Sequence, residues 1–380
     1  MPSDDSHLYL GAMTGTSVDG LDLALVEVAG SKVNLVAQRT APLPSALRET
    51  LLELGQGVDD DLDALGEADA ALGRFIGETA RGFIASQGLA ANAVRAIGSH
   101  GQTVRHRPND RNAFTLQIGD PNRIAELTGV ATVADFRRRD LAAGGQGAPL
   151  APGFHAALFS HAHERRTVLN IGGISNITRL GTPLLGFDTG PGNALMDSWC
   201  AKHQSAAFDE GGAWAATGQV DEPLLASLLN DPYLAQAPPK STGREHYNLN
   251  WLSERLRPAL RPEDVALRPE DVALRPEDVQ RTLLEMTAVS IANAIANWAP
   301  ETERIIVCGG GRLNPLLMQR LGALAKASVD TADEHGWDGD AIEAGAFAWL
   351  AHQRLNSAPA NVPSVTGAAG PRVIGAIYAP

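Results

Sequence analysis

The chain has 380 residues, a formal net charge of −13, 44% apolar and 20% charged side chains, and two cysteines. That length suits about two domains of ~100–200 residues, and the negative balance argues against nucleic acid or an anionic membrane as main partner. No apolar run reaches the roughly 18 residues of a bilayer span, and the N-terminus MPSDDSHLYL lacks a secretory signal's basic start and apolar core, so a cytoplasmic protein is expected.

Tyr9–Glu27 reads as a β-hairpin around MTGTSVDG, and Ser31–Gln38 continues as a strand. Pro44–Glu53 and Leu62–Ser86 carry apolar residues at helical spacing. Ala96–His100 is a short strand entering GSHGQT, Phe114–Ile118 alternates like a strand, and Pro121–Thr128 reads as a short helix. After strand-like Val130–Ala134 come the basic run FRRRD and the glycine loop Ala142–Pro149; a helix follows from about Gly153. The second half repeats the strand–glycine–strand theme in VLNIGGISN and GFDTGPGN, with a helix starting at Asn193. ALRPEDV then occurs three times at 259–279. A proline in each copy forbids a continuous helix; the first two copies read as a surface-loop expansion, and the third as the proline-led, acidic start of the helix Val279–Trp298. Cys308, in the apolar strand before GGG, reads as an inert core thiol, and the two cysteines form no disulfide or metal pattern. Strands, hairpins and crossover helices in both halves imply an α/β architecture with mixed sheets.

Three glycine turns follow apolar strands, and backbone amides in such turns cradle phosphate. In the first, Gly15, Thr16, Ser17, Val18, Asp19, Gly20, Leu21 and Asp22 offer amides and hydroxyls for β- and γ-phosphates. Asp19 and Asp22 suit Mg²⁺ held through water. No GK[ST] follows, so this is not a Walker A loop, and the turn leads into a strand rather than the helix of a dinucleotide fold. The second turn has Gly172 and Gly173; the third has Gly309, Gly310 and Gly311, suited to packing a base or ribose. Asp188 lies in a glycine turn before a helix start, a setting expected to lower its pKa from ~4 and keep it ionised as a base. Gln102 and Thr103 suit a polyhydroxylated ligand; His100 is a polar contact candidate; Lys240–Arg244 (KSTGR) is either a phosphate contact or a plain surface loop. Glu343 is the lone acid beginning an apolar helix, either a helix-end charge or an acid facing a cleft.

At these residues the chain resembles the anhydro-N-acetylmuramic acid kinases of the sugar kinase/Hsp70/actin superfamily. The matching stretches include GAMTGTSVDGLD, IGSHGQTVRH, VADFRRRDLAAGGQGAPL, VLNIGGISN, GFDTGPGNALMD, DEGGAWAATGQV, KSTGRE and VCGGGRLN, and the threefold ALRPEDV is the main departure. The resemblance implies two actin-like (ribonuclease H-like) lobes of mixed sheets flanked by helices, with an ATP cleft between them, an N-terminal lobe over 1–150 and a C-terminal lobe over 151–380. It implies a homodimer in bacterial peptidoglycan recycling that uses ATP and Mg²⁺. The reaction it implies has water open the 1,6-anhydro bridge and O6 take the γ-phosphoryl group, giving N-acetylmuramic acid 6-phosphate and ADP. By the same resemblance Asp188 is the general base, Gly15–Asp22 the phosphate turn, and Gln102, Thr103, Arg137 and Glu343 the sugar contacts, with Arg137 answering the lactyl carboxylate. The alternatives are a sugar kinase without ring hydrolysis, or an actin- or Hsp70-like conformational ATPase.

Overall fold

The computed structural model describes residues 6–15, 18–57, 61–256 and 274–380. Among these the strands are β1 (Ser6–Thr14), β2 (Gly20–Ala29), β3 (Lys32–Pro42), β4 (Val94–Ser99), β5 (Gln102–Arg107), β6 (Phe114–Ile118), β7 (Thr132–Ala134), β8 (Arg166–Ile171), β9 (Ile174–Arg179), β10 (Leu185–Pro191), β11 (Arg304–Cys308), β12 (Ser328–Thr331) and β13 (Ala376–Tyr378). The chain divides into two compact units, Met1–Leu158 with Gly336–Pro380, and Phe159–His335.

In the first unit the sheet order is β13-β7-β4-β1-β2-β3. β1 and β2 are antiparallel, as are β2 and β3, while β4 runs parallel to β1 and β7 parallel to β4. β1 is buried through its centre, as an inner strand covered on both faces requires, whereas β3 alternates between exposed and half-buried residues at the edge. The helix Leu62–Ser86 starts with Asp61 capping the Asp63 amide and buries Leu72, Ile76, Ala80 and Phe83 at helical spacing. The helix Ile342–Leu355 lies so close to the sheet that a Cβ at Gly11 would strike the Ala344 carbonyl, and one at Gly98 the Phe347 carbonyl. Glycine at those two positions lets that helix seat on β1 and β4.

In the second unit the order is β10-β9-β8-β11-β12, with β8–β9 and β9–β10 antiparallel and β8–β11 and β11–β12 parallel. Its core gathers Leu169, Ile171, Phe187, Leu195, Trp199 and Ile305 around the helix Pro276–Trp298, which contributes Leu283, Leu284, Met286 and Ile291. That helix begins at the third ALRPEDV copy with Arg275 at the N-cap and proline in the first turn; the first two copies lie outside the described residues. Both cysteines are buried and neither forms a disulfide.

Each unit therefore has the same plan, a three-strand antiparallel meander whose first strand is joined by two parallel strands. The division also differs from a boundary at 150/151. The first unit runs on to Leu158, and Gly336–Pro380 returns to supply β13 and the helix over β1 and β4.

Candidate functional site

In the first unit β1 and β4 are parallel with Ala12 opposite Ser99. The turns leaving their carboxyl ends therefore emerge side by side, the usual ligand position on such sheets. Thr14 Oγ1 donates to the Gly101 carbonyl at 2.7 Å, and the His100 amide donates to the Ala12 carbonyl at 2.9 Å, joining the two turns. Thr16 and Ser17 lie outside the described residues. Val18 adopts φ 55°, a costly conformation for a β-branched residue. Its amide closes on the Gly15 carbonyl at 3.1 Å, and Arg48 Nε donates to its carbonyl at 3.1 Å. Arg48 also pairs with Asp19 at 3.6 Å. Gly20, Leu21 and Asp22 already belong to β2, and Asp22 accepts the Thr40 hydroxyl at 2.6 Å. Burial pushes the Asp22 carboxyl up, with like-charge repulsion from Asp340 and Asp19 adding to it.

Gln102 and Thr103 open β5. Thr103 Oγ1 accepts Gln117 Nε2 at 3.0 Å. Ser99 Oγ and Gln102 Oε1 are buried without a partner among the described residues, a cost of about 1–3 kcal/mol each that a ligand or water would relieve. Ser99 and His100 also line a cavity of about 110 Å³ with Asp135 and Arg138. Arg137 donates from Nε and Nη2 to His100 Nε2 at 3.1 and 2.9 Å, and from Nη1 to the Gly147 carbonyl at 2.9 Å. Burial pulls its guanidinium down to about 10, opposed by the Glu343 carboxylate, so it stays a cation at neutral pH. Burial and Arg137 hold His100 well below the ordinary imidazole range, leaving it a neutral acceptor rather than a base. Glu343 is exposed in the first turn of its helix. The FRRRD run thus divides: Arg137 is engaged, while Arg138 and Arg139 are exposed. Its last member, Asp140, is fully buried and accepts from the Gly147 amide, Asn361 Nδ2 and Thr366 Oγ1 at 2.8, 2.7 and 2.9 Å. Asp140 therefore pins the glycine loop to the C-terminal segment.

In the second unit β8 and β11 are parallel with Asn170 opposite Cys308. The Gly172–Gly173 and Gly309–Gly311 turns consequently leave the sheet as neighbours. The Asn193 and Ala194 amides donate to the Gly172 and Gly173 carbonyls at 2.8 and 3.0 Å, attaching the start of the helix Ala194–Gln204 to the first turn. A Cβ at Gly309 would strike Asn170, and one at Gly311 would strike Ile171, so packing alone requires glycine there; one at Gly310 meets only Asn193 Nδ2, at 3.9 Å.

Asp188 stands on β10 opposite Asn176, beside a register break at Thr189. Such a bulge re-aims a side chain. Thr189 and Ser175 hydroxyls meet at 2.6 Å, and Ser175 Oγ donates to the Gly190 carbonyl at 3.2 Å. The Thr242 amide donates to Asp188 Oδ2 at 3.0 Å, Tyr233 Oη donates to the Asp188 carbonyl at 2.8 Å, and the Asp188 amide donates to the Lys240 carbonyl at 3.3 Å. Burial pushes the carboxyl up to about 6, opposed by the Thr242 amide and Lys240 and reinforced by Glu245. This corrects the expectation of a lowered pKa. The amides at the start of the following helix are spent on Gly172 and Gly173, and desolvation outweighs the bonds that Asp188 does receive.

A sequence profile described as anhydro-N-acetylmuramic acid kinase matches residues 7–380. The chain belongs to that family. A relative of that name from Xanthomonas campestris pv. campestris (strain 8004) is 52% identical over 98% of this chain and 97% of its own. One from Xylella fastidiosa (strain Temecula1) is 49% identical over 100% of both, and one from Coxiella burnetii (strain Dugway 5J108-111) is 47% identical over 97% of both. Membership makes the chain an anhydro-N-acetylmuramic acid kinase by family, an enzyme rather than a conformational ATPase. Of the residues singled out in its sequence, Gly15, Val18–Asp22, Gln102, Thr103, Arg137 and Glu343 belong to the first unit, and Gly172, Gly173, Asp188 and Gly309–Gly311 to the second.

Sequence reasoning missed the support behind this kinase's Asp188. Asp231 is buried and accepts from the Tyr233 amide, Trp251 Nε1 and Arg255 Nη2, each at 2.9 Å, with His246 Nε2 at 3.2 Å. It fixes the segment that carries Tyr233, Lys240 and Thr242. Its sequence signal, an Asn-Asp-Pro turn, is too common to single out.

Proposed function

We propose that Asp188 is the general base that activates water for attack on the anomeric carbon of 1,6-anhydro-N-acetylmuramic acid. Water's oxygen bonds to C1 and its proton passes to Asp188. The C1–O6 bond breaks, O6 takes the γ-phosphoryl group of ATP, and ADP leaves. The product is N-acetylmuramic acid 6-phosphate. The observation that carries this reading is the Asp188 carboxyl, held by the Thr242 amide and pushed up to about 6. It is mostly ionised at neutral pH yet a stronger proton acceptor than an ordinary aspartate.

In the same reading Gly15–Asp22, Gly172–Gly173 and Gly309–Gly311 serve ATP, and Arg137, Gln102, Thr103 and Glu343 serve the sugar. The family resemblance and the unpartnered Gln102 oxygen support this. Mg²⁺ fits Asp19 and Asp22, whose mutual repulsion a divalent cation would relieve; bound there it would offset phosphate charge, and the two carboxylates would hold it through water. A cytoplasmic homodimer serving peptidoglycan recycling completes the reading, on the resemblance alone.

The test is turnover of the anhydro sugar with ATP and Mg²⁺ in ¹⁸O-labelled water, read by mass spectrometry. Label at the anomeric hydroxyl of a 6-phosphosugar, corrected for back-exchange, is the expected result. A phosphosugar that keeps its anhydro bridge would overturn hydrolysis and leave a simple sugar kinase.

A further inference from the structure

The segment Lys240–Arg244 touches two chemically active places in the second unit. At its middle the Thr242 amide binds Asp188 Oδ2 at 3.0 Å. At its C-terminal end, Arg244 covers the glycine turn after β8. A Cβ on Gly173 would meet Arg244 Nε at 2.8 Å, Nη2 at 3.0 Å and Cζ at 3.3 Å. Any side chain at 173 would therefore displace the guanidinium. Among the described residues that guanidinium has no ion pair within 4.0 Å and donates no hydrogen bond, and Arg244 is exposed. Its charge is felt by Asp197, whose carboxyl burial pushes up to about 6 while Arg244 opposes the rise. A forked cation lies over a double-glycine turn with its donors unspent, in a chain of net charge −13.

We propose that Arg244 binds the transferred terminal phosphoryl group of the nucleoside triphosphate. This rests on the reading that Gly172–Gly173 receives phosphate and Asp188 serves the anhydro sugar. Two facts select the terminal group over the inner phosphates. Residues 242 and 244 are two apart, so their Cα atoms lie within about 7 Å. The bond broken at C1 and the bond formed to phosphorus share O6, so the base and the transferred phosphoryl must lie a few bonds apart. An arginine two residues from the amide that binds Asp188 thus belongs at the reacting end of the nucleotide. There its planar fork suits phosphate oxygens and offsets charge in a loose transfer that needs mainly positioning and electrostatic help.

The experiment compares full-length wild type with Arg244→Ala and Arg244→Gln. Calorimetry measures ADP and a non-hydrolysable ATP analogue, steady-state assay gives kcat, and millimolar guanidinium is added to the alanine variant. ADP affinity is expected to stay within about 3-fold, since that ligand lacks the group Arg244 holds. The ATP analogue should weaken about 10–100-fold, kcat should fall about 10²–10³-fold, and guanidinium should restore part of it. Arg244→Gln decides if the alanine variant does not fold. Unchanged ADP-to-analogue preference with kcat within 3-fold in either folded variant overturns the assignment to Arg244. A wild type that binds neither nucleotide overturns the nucleotide reading beneath it as well, so the two failures are distinguishable.

Discussion

Asp188 shows burial and bonding in competition at one side chain. An amide bond and a lysine favour its charged form, yet its pKa is pushed up to about 6 because desolvation is the larger effect. Asp188→Asn is expected to lower kcat about 10²–10⁴-fold while ATP binding persists; turnover near wild type would remove it as the base. The same substitution should stabilise the fold above neutrality. A carboxyl whose folded pKa lies above its ordinary value favours folding fully only below that ordinary value, and loses the advantage as pH rises through about 6. Melting at pH 8 should favour the asparagine variant by up to about 3 kcal/mol, and the gain should vanish below about pH 4. Lys240 lowers the Asp188 pKa from across the loop and donates to the Tyr233 and Leu234 carbonyls at 3.0 and 3.1 Å. Lys240→Met should therefore move the acid limb of kcat/KM to higher pH, and an unmoved limb would separate Lys240 from the base. The carboxylate itself was legible in GFDTGPGN; its pKa was not, because desolvation comes from residues distant in sequence.

Among the elements, the β1–β2 hairpin, the Leu62–Ser86 helix and the Pro276–Trp298 helix follow from alternation, helical spacing and a proline-led start. β5, β12 and β13 were not anticipated. β5 (QTVRHR) and β12 (SVDT) carry too few apolar residues to mark a face, and β13 is three residues long, so partner strands define each of them. The Ile342–Leu355 helix has readable periodicity, but its seat on the sheet depends on Gly11 and Gly98. Gly98→Ala should cost about 1–3 kcal/mol by pushing the Phe347 backbone away. A thermal melt within error of wild type would show that the helix yields without cost.

For the whole molecule, the two units repeat one sheet order but differ in continuity. Phe159–His335 is a single stretch with its own core, whereas Met1–Leu158 needs Gly336–Pro380 to cover β1 and β4 and to extend the sheet with β13. A chain ending at residue 335 should lose slow hydrogen exchange in β1 and β4 while keeping it in β8 and β11; equal loss in both units would contradict this division. Taken alone, the amino-acid order determined what short-range physics decides: the paired glycine turns, the strand and helix starts and the family motifs, each set by alternation, capping or backbone freedom within a few residues. Tertiary structure decided the rest. It placed the last 45 residues in the first unit, made Asp231 the anchor of the segment that binds Asp188, divided FRRRD between an arginine bonded to His100, two exposed ones and a buried aspartate, and raised the Asp188 pKa. All of these depend on which distant groups exclude water from a given atom, and that is settled only when the chain has packed.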